Sequence, residues 1–452
     1  MRRKNEMDMC SGSIFTKMLI FTIPLMLSSM LQLLFNAADI VVVGNFAGDE
    51  SLGAVGSTGS LINLLTNLFI GLSVGVNFLV ARYYGSGQKE NLKNTVQTAV
   101  IMSVILGGFV MVFGFFASPF ILEKMQLEGE ILRLASIYLR IYFIGMPAVM
   151  VYNFTSAILR AVGDTKRPLY YMIISGFVNI LLNLLFVIVL HMGVAGVALA
   201  TVISQTISAV LTLLCLISNK DTIHFDIHDL HIDKSCLIKM LKIGLPAGLQ
   251  STLFSFSNVL IQSSVNSFSD VVIEGNATAI NIEGFVYVAM NAFHQAALSF
   301  VSQNIGAGKK ERINKITIIA LLLVSSTGLF LGSTVVYFSR ELLSLYTSNP
   351  DIIAAGTVRI GIICSIYFLC GIMDVMVGSL RGMGYSTMPA IVSLLGACVF
   401  RIVWLSTLFQ IDKWHSIQTI YYSYPISWIL TFSVHMICYI IVKRKYDRSF
   451  IR

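Results

Sequence analysis

The sequence predicts an all-α polytopic membrane protein of twelve spanning helices in two six-helix halves, and three observations carry that prediction. Hydrophobic residues make up 56% of the 452-residue chain against 12% charged, more apolar side chain than a soluble domain can hide, so lipid must solvate much of its surface. Apolar runs of about 20 residues, the length a helix needs to cross a hydrocarbon core of about 30 Å, recur from one end to the other. Two stretches of sequence also repeat at a constant shift of 221 residues, which marks an internal duplication.

The runs fall near residues 14–40, 54–80, 95–118, 134–158, 168–190 and 194–217, then near 243–267, 276–301, 316–338, 354–380, 389–410 and 419–442. The first has no small-residue cleavage site and reads as a retained helix. Helix is the expected state throughout, because a lipid-exposed backbone must satisfy its own hydrogen bonds and barrel strands would be short and alternating. Domain boundaries follow: an N-lobe over 1–217, an inter-lobe linker over 218–242, and a C-lobe with a basic tail over 243–452.

Lys and Arg set the orientation. With the N-terminus in the cytoplasm, 23 of them lie in inside segments and only Lys124, Arg133, Arg340 and Lys413 in outside loops, which places both termini inside a cell membrane crossed many times. The net charge of +8 is spread between the spans as a topology signal, so no nucleic-acid partner is expected. The partners expected are the bilayer and small molecules, and the chain is expected to be a monomer.

The repeat has two blocks. VARYYGSGQKENL from Val80 aligns with VSQNIGAGKKERI from Val301, pairing Gly87 with Gly308. LRAVGDTKRP from Leu159 aligns with LRGMGYSTMP from Leu380, pairing Arg160 with Arg381, Gly163 with Gly384 and Pro168 with Pro389. Both blocks follow even-numbered spans, so the halves share one orientation and an axis along the membrane normal should relate them. The linker's His224, His228 and His231 stand among Asp226, Asp229 and Asp233; the alternation fits a solvated segment beside the membrane, with a metal site as the alternative. Seven cysteines without a CxxC pair indicate neither a disulfide framework nor zinc.

Ionisable groups inside a span cost about 2.5–3.5 kcal/mol on insertion scales and are functional candidates by default. Asp39 lies in the first span with Asn36 on the same face, Glu283 in the eighth and Asp374 in the tenth. A shielded carboxylate can take up a proton, or join amide and carbonyl oxygens around Na⁺; alternatively it pairs with a buried arginine, and for Asp374 the candidates are Arg401 and Arg359. Asn179 and Asn183, four residues apart on one face of the fifth span, are expected either to line a polar cavity with Asp39, Asn153 and Thr201 or to bond neighbouring helices. Pro24 would let the first helix bend. No phosphate-binding GxxxxGK loop is present, so ATP is not the expected energy source, and no catalytic constellation or cofactor is predicted.

The order and duplication of IPLMLSSMLQLLFNAADIVVVGNFAG, LRAVGDTKRP, FVNILLNLL, GVAGVALAT, IGLPAGLQ, FVSQNIGAGKKERI and SLRGMGYSTMP resemble the multidrug and toxic compound extrusion family over essentially the whole chain. The resemblance implies two six-helix lobes forming a V around a central cavity, and export of hydrophobic, often cationic, organic compounds by alternating access in exchange for H⁺ or Na⁺. It implies that Asp39 is the coupling acid, that Asn153, Asn179 and Thr201 are polar positions around it, and that Pro24 is the bending proline. Two departures stand out: Asn183 replaces an Asp found in some members, and the seventh span lacks the acid several members place there, a role that Glu283, one helix later, would take. Glu283, Asp374 and Arg401 are the candidates for a substrate or second cation site. The alternative implied function is a lipid-linked precursor flippase of the related superfamily. If the charge bias reads the topology correctly, cysteines replacing Lys124 or Lys413 will react with an impermeant maleimide from outside the cell, and cysteines at Lys89 or Lys310 only from inside; labelling of all four from one side would rule out twelve spans.

Overall fold

A computed structural model describes residues 6–219 and 223–448; Arg2, Arg3, Lys4, Lys220 and Arg452, counted in the charge bias, lie outside the described residues. The helices are α1 Ile14–Phe46, α2 Asp49–Ser86, α3 Lys89–Lys124, α4 Gly129–Ile144, α5 Met146–Ala161, α6 Lys166–Asn183, α7 Gly193–Ile217, α8 Lys234–Val265, α9 Asp270–Gly306, α10 Glu311–Tyr337, α11 Ser339–Ser344, α12 Pro350–Ile363, α13 Phe368–Gly382, α14 Thr387–Ser393, α15 Phe400–Ser406 and α16 Ile417–Arg448. No strand occurs among the described residues. A π-helical turn, Leu184–Val189, extends α6, and another, Leu394–Val399, joins α14 to α15.

Eight of the helical stretches are long and apolar enough to span a membrane, or ten when the bent pairs α4 with α5 and α12 with α13 each count as one. The two further spans expected from sequence, α8 and α9, are long helices as well but carry more polar residues, Gln250, Asn276, Glu283, His294, Gln303 and Asn304 among them, and these are buried. Their apolar content is diluted because they turn polar groups inward, where protein and not lipid satisfies them. The reverse holds on the outer surface, where Phe116, Phe330 and Tyr337 are among the most exposed side chains, as contact with acyl chains requires.

The duplication is visible in the backbone. The bend between α4 and α5 is 46° and that between α12 and α13 is 47°, at equivalent places in the two halves. Gly87 and its repeat mate Gly308 have φ of 69° and 71°, and Gly163 and Gly384 have 89° and 95°. In the second block the glycine N–H donates to the carbonyl of Arg160 or Arg381, each at 2.9 Å, and the next N–H donates to Leu159 at 2.9 Å or Leu380 at 3.0 Å. This is the left-handed helix stop that glycine alone adopts without a steric cost. Repetition in the sequence is therefore repetition of helix endings.

The chain divides into two compact units. Unit 1 comprises the residues up to Asp8 and Leu27–Leu241, and unit 2 comprises Met9–Met26 and the chain from Lys242 onward. The division crosses α1 between Met26 and Leu27, two residues beyond Pro24, so the first helix belongs half to each unit. Within unit 2 the start of α1 is held by its neighbours: Met9 N–H donates to Gln303 Oε1 at 3.3 Å, Lys309 Nζ donates to the Cys10 carbonyl at 2.8 Å, and Phe21 packs edge-on against Phe300.

Unit 1 is built from α2 to α7, with α3 against α4 and α5, and α6 against α7. The linker belongs to this unit and docks on the start of α3: Lys93 Nζ donates to Asp229 Oδ2 at 2.6 Å, Gln97 Nε2 to the Asp226 carbonyl at 3.1 Å, and His231 Nε2 lies 3.1 Å from Asn94 Oδ1. The bond from Lys93 holds the Asp229 carboxyl below its usual range. Asp233 accepts the Cys236 N–H at 2.7 Å and so caps the first turn of α8; that bond depresses its carboxyl too. The cap is present at neutral pH and is lost as pH falls through the depressed value.

Unit 2 centres on α9, which packs against α10, α12 and α13, while α13 and α12 also meet α16. A polar brace crosses four of its helices. Arg359 of α12 grips Glu283 of α9 with both ends of its guanidinium, Nε to Oε1 at 2.8 Å and Nη2 to Oε2 at 2.9 Å, and its Nη1 donates to Asn276 Oδ1 at 2.8 Å. Tyr421 of α16 donates to the same Asn276 oxygen at 3.2 Å, and Asn276 Nδ2 donates to Gln262 of α8 at 3.0 Å. Tyr421 and Tyr424 present their rings to the guanidinium at 5.3 and 5.5 Å. Removing one partner of such a pair leaves a buried charge, so Glu283→Gln should cost about 3 kcal/mol of stability and lower the thermal midpoint in detergent, while Glu283→Gln with Arg359→Met recovers part of that loss; an unchanged midpoint in Glu283→Gln would show that the brace carries no structural weight.

Candidate functional site

The acid of unit 1 lies beside a point where α6 admits a ring of α1. A Cβ at Gly176 of α6 would run into the ring of Phe35 of α1, so only glycine leaves room for that ring. One turn along each helix from that contact stand Asp39 on α1 and Asn179 on α6, with Asn183 a further turn along. Asn183 Nδ2 donates to Asp39 Oδ1 at 2.5 Å and lies 3.2 Å from Asn179 Oδ1, and Thr201 of α7 donates its hydroxyl to Asp39 Oδ2 at 3.2 Å. The π-turn begins immediately after Asn183, a local irregularity of the helix that recurs at functional positions.

Asn179 and Asn183 are buried, and Asp39 and Thr201 half-buried. No basic side chain of the described residues pairs with Asp39; Arg140, the only base at comparable depth in this half of the sequence, is exposed and lies over Phe115 at 5.4 Å. The Oδ1 of Asn183 is buried without a hydrogen-bond partner. Asn153, expected beside Asp39, donates instead to the Val149 carbonyl of its own helix at 2.8 Å, which α-helical geometry offers any amide whose neighbours lie out of reach. Asn36 is exposed. Sequence reasoning missed Tyr138 and Tyr142 of α4, stacked at 6.4 Å, which lie close enough to Asp39 to feel its charge. Their spacing of four residues in a bent span was the available signal.

In unit 2 the three candidates do not form one cluster. Glu283 is the acid that Arg359 neutralises, so the pairing with Arg359 considered for Asp374 is not formed. Asp374 of α13 lies beside Asn291 and Tyr287, with the Arg381 guanidinium close enough to act on its charge. Arg381 in turn donates from Nη2 to Gln250 Oε1 at 2.8 Å, and the backbone carbonyl of Asp374 is 2.8 Å from His294 Nδ1. Asp374 stands at the position equivalent to Asn153 under the 221-residue shift. Arg401 of α15 donates from Nε to Ser427 Oγ at 2.9 Å, and its guanidinium lies 4.0 Å from the Tyr424 ring centre. Pro24 is buried inside α1.

Known proteins share this arrangement of sequence. A family model described as MatE matches residues 24–185 and again residues 246–405, one match for each half of the duplication. The chain is 30% identical over 398 residues to a probable multidrug resistance protein, YpnP, of Bacillus subtilis, covering 87% of this chain and 88% of that protein. It is 24% identical to a probable multidrug resistance protein, NorM, of Thermotoga maritima, over 84% of this chain and 82% of that one. Among solved structures, an outward-facing multidrug resistance MATE family transporter of the MOP superfamily superposes with a TM-score of 0.92 at 21% identity, over 99% of this chain and 100% of that one. A MATE protein in its bent conformation gives 0.87 at 21% identity, over 97% of each chain, a likeness of fold. With both halves matched by one family and the likeness running the length of the chain, this protein belongs to the MatE family of membrane transporters.

Proposed function

We propose that the chain is a cation-coupled secondary antiporter of the cell membrane that exports hydrophobic, often cationic, organic compounds by alternating access, with both termini in the cytoplasm. The observation that carries this reading is the Asp39 carboxylate, held by one amide and one hydroxyl inside unit 1 without a neutralising cation among the described residues. A charge shielded in this way is costly, and binding a cation removes the cost. The names of the relatives, multidrug resistance proteins, support small organic compounds as cargo.

The ligand set favours H⁺ over Na⁺. A Na⁺ shell is made of oxygen acceptors, whereas the groups that reach Asp39 are an N–H and an O–H, both turned toward it as donors. A proton on either carboxyl oxygen needs only that the hydroxyl of Thr201 rotate to accept, or that the Asn183 amide turn its unpartnered Oδ1 to the acid. Both are side-chain torsions without backbone movement. Asn179 would hold Asn183 in register, and Asp374, the less tightly neutralised acid of unit 2, is the second cation or substrate position in this reading. Pro24, two residues before the boundary that divides α1, would let the half-helix carrying Asp39 change direction when its charge changes.

A ligand shifts a conformational equilibrium only by its difference in affinity between the two states. Asp39→Asn keeps the size and hydrogen bonding but abolishes the ionisation, so inserted, folded protein should lose gradient-driven efflux by roughly tenfold or more and no longer respond to external pH. The wild type should export faster under an inward pH gradient than under a Na⁺ gradient of equal size, and Pro24→Ala should slow efflux less than Asp39→Asn. Efflux by Asp39→Asn at the wild-type rate and matched expression would place coupling elsewhere.

A further inference from the structure

One end of unit 2 gathers more positive charge than its own acids answer. Residues 310–315, where α10 starts, and 443–448, where α16 ends, carry seven bases against two acids, Glu311 and Asp447. The two helices meet there. Tyr439 of α16 donates to Asn314 Oδ1 at 3.0 Å with Thr317 Oγ1 at 3.1 Å, and Lys310 Nζ lies 5.8 Å from the Tyr446 ring centre. Arg312 is engaged through Nη2, which donates to the Gly12 carbonyl at 3.0 Å, and Lys443 pairs with Asp447 at 2.5 Å. Lys315, Arg444, Lys445 and Arg448 are exposed and form no ion pair among the described residues. In unit 1, by contrast, Lys93, Arg133 and Arg167 each have a carboxylate.

Position along the helices decides what would answer this charge. Both α10 and α16 are long and apolar enough to span a membrane. Lys315 shares one helical stripe with Ile318 and Leu322, and Arg444 and Arg448 share another with Ile437 and Ile441. These four apolar side chains are each more than half exposed. On both helices, then, the face that meets acyl chains leads within one turn to bases that the protein leaves unpaired. That sequence of surfaces matches a phospholipid, its tails against the apolar stripe and its phosphate at the bases; a free anion would use the bases alone. Bases immediately beyond a span attract anionic lipid. We propose that the joined ends of α10 and α16 form a binding site for the phosphate headgroup of an anionic phospholipid. The site lies on the surface of unit 2 and does not depend on which ion or compound the chain carries.

Native mass spectrometry of the purified protein in a neutral detergent tests it. Phosphatidylglycerol and phosphatidylcholine of the same acyl chains are added in equal amounts, and the lipid that stays bound is counted. Wild type should retain phosphatidylglycerol over phosphatidylcholine by about tenfold or more, and excess inorganic phosphate at constant ionic strength should not displace it. A variant combining Lys315→Gln, Arg444→Gln, Lys445→Gln and Arg448→Gln should lose most of that preference. A control combining Lys89→Gln, Lys166→Gln, Lys234→Gln and Lys242→Gln removes the same charge elsewhere and should keep it. All eight positions are exposed, so both variants should retain the wild-type thermal midpoint. The proposal is overturned by equal retention of the two lipids in wild type, or by a preference that survives in the first variant. Equal loss in both variants would reduce the effect to net charge, and displacement by phosphate would reveal a free-anion site; either result also overturns the assignment to lipid.

Discussion

Inside a hydrocarbon layer a polar group is held only by partners that the protein supplies, and the polar interior of each unit is arranged around that limit. Glu283 and Arg359 neutralise each other and direct their remaining valences to Asn276 and two tyrosine rings, which makes them a brace between helices. Asp39 receives donors but no cation among the described residues. Two buried or half-buried carboxylates therefore differ in their surroundings: one is closed off by an arginine, and the other has no basic partner among the described residues. The contrast follows from partners, not from burial alone.

Duplication supplied two scaffolds with the same helix stops and the same bend, and the polar positions then diverged. The stops at Gly163 and Gly384 and the breaks of 46° and 47° are set by backbone geometry, which a repeat preserves readily. At the equivalent positions of α5 and α13, one half has Asn153, bonded to its own helix, and the other has Asp374. Asp39, conversely, falls opposite an apolar stretch, residues 259–261, in the second half. The two halves thus share mechanical parts but divide the chemistry.

Much of this was legible beforehand. Apolar length and the 221-residue repeat predicted the order of the long helices, including α8 and α9, which a hydropathy window alone passes over. Polar residues at helical spacing on successive spans group Asp39 with Asn153, Asn179, Asn183 and Thr201, and the structure brings all but Asn153 together. What was not legible depends on how helices cross. Nothing in the sequence says that Phe35 faces Gly176, or that Arg359 reaches Glu283 on a different span, because both depend on axial register and tilt, which side-chain packing decides. The division of α1 between two units was likewise hidden, since a continuous apolar run does not reveal which neighbours each end will choose. The linker reads as a solvated segment, and residues 227–230 are exposed; the docking of its neighbours on Lys93, Asn94, Gln97 and Thr98 of α3 is a surface that a local pattern cannot identify.

In a coupled exporter, movement of an organic compound and of a proton are one event. In proteoliposomes with equal pH and equal Na⁺ on both sides, an imposed gradient of a transported compound should drive protons in the opposite direction, seen with a trapped pH indicator, in a fixed ratio to the compound moved. Compound flux that leaves the luminal pH unchanged would contradict it.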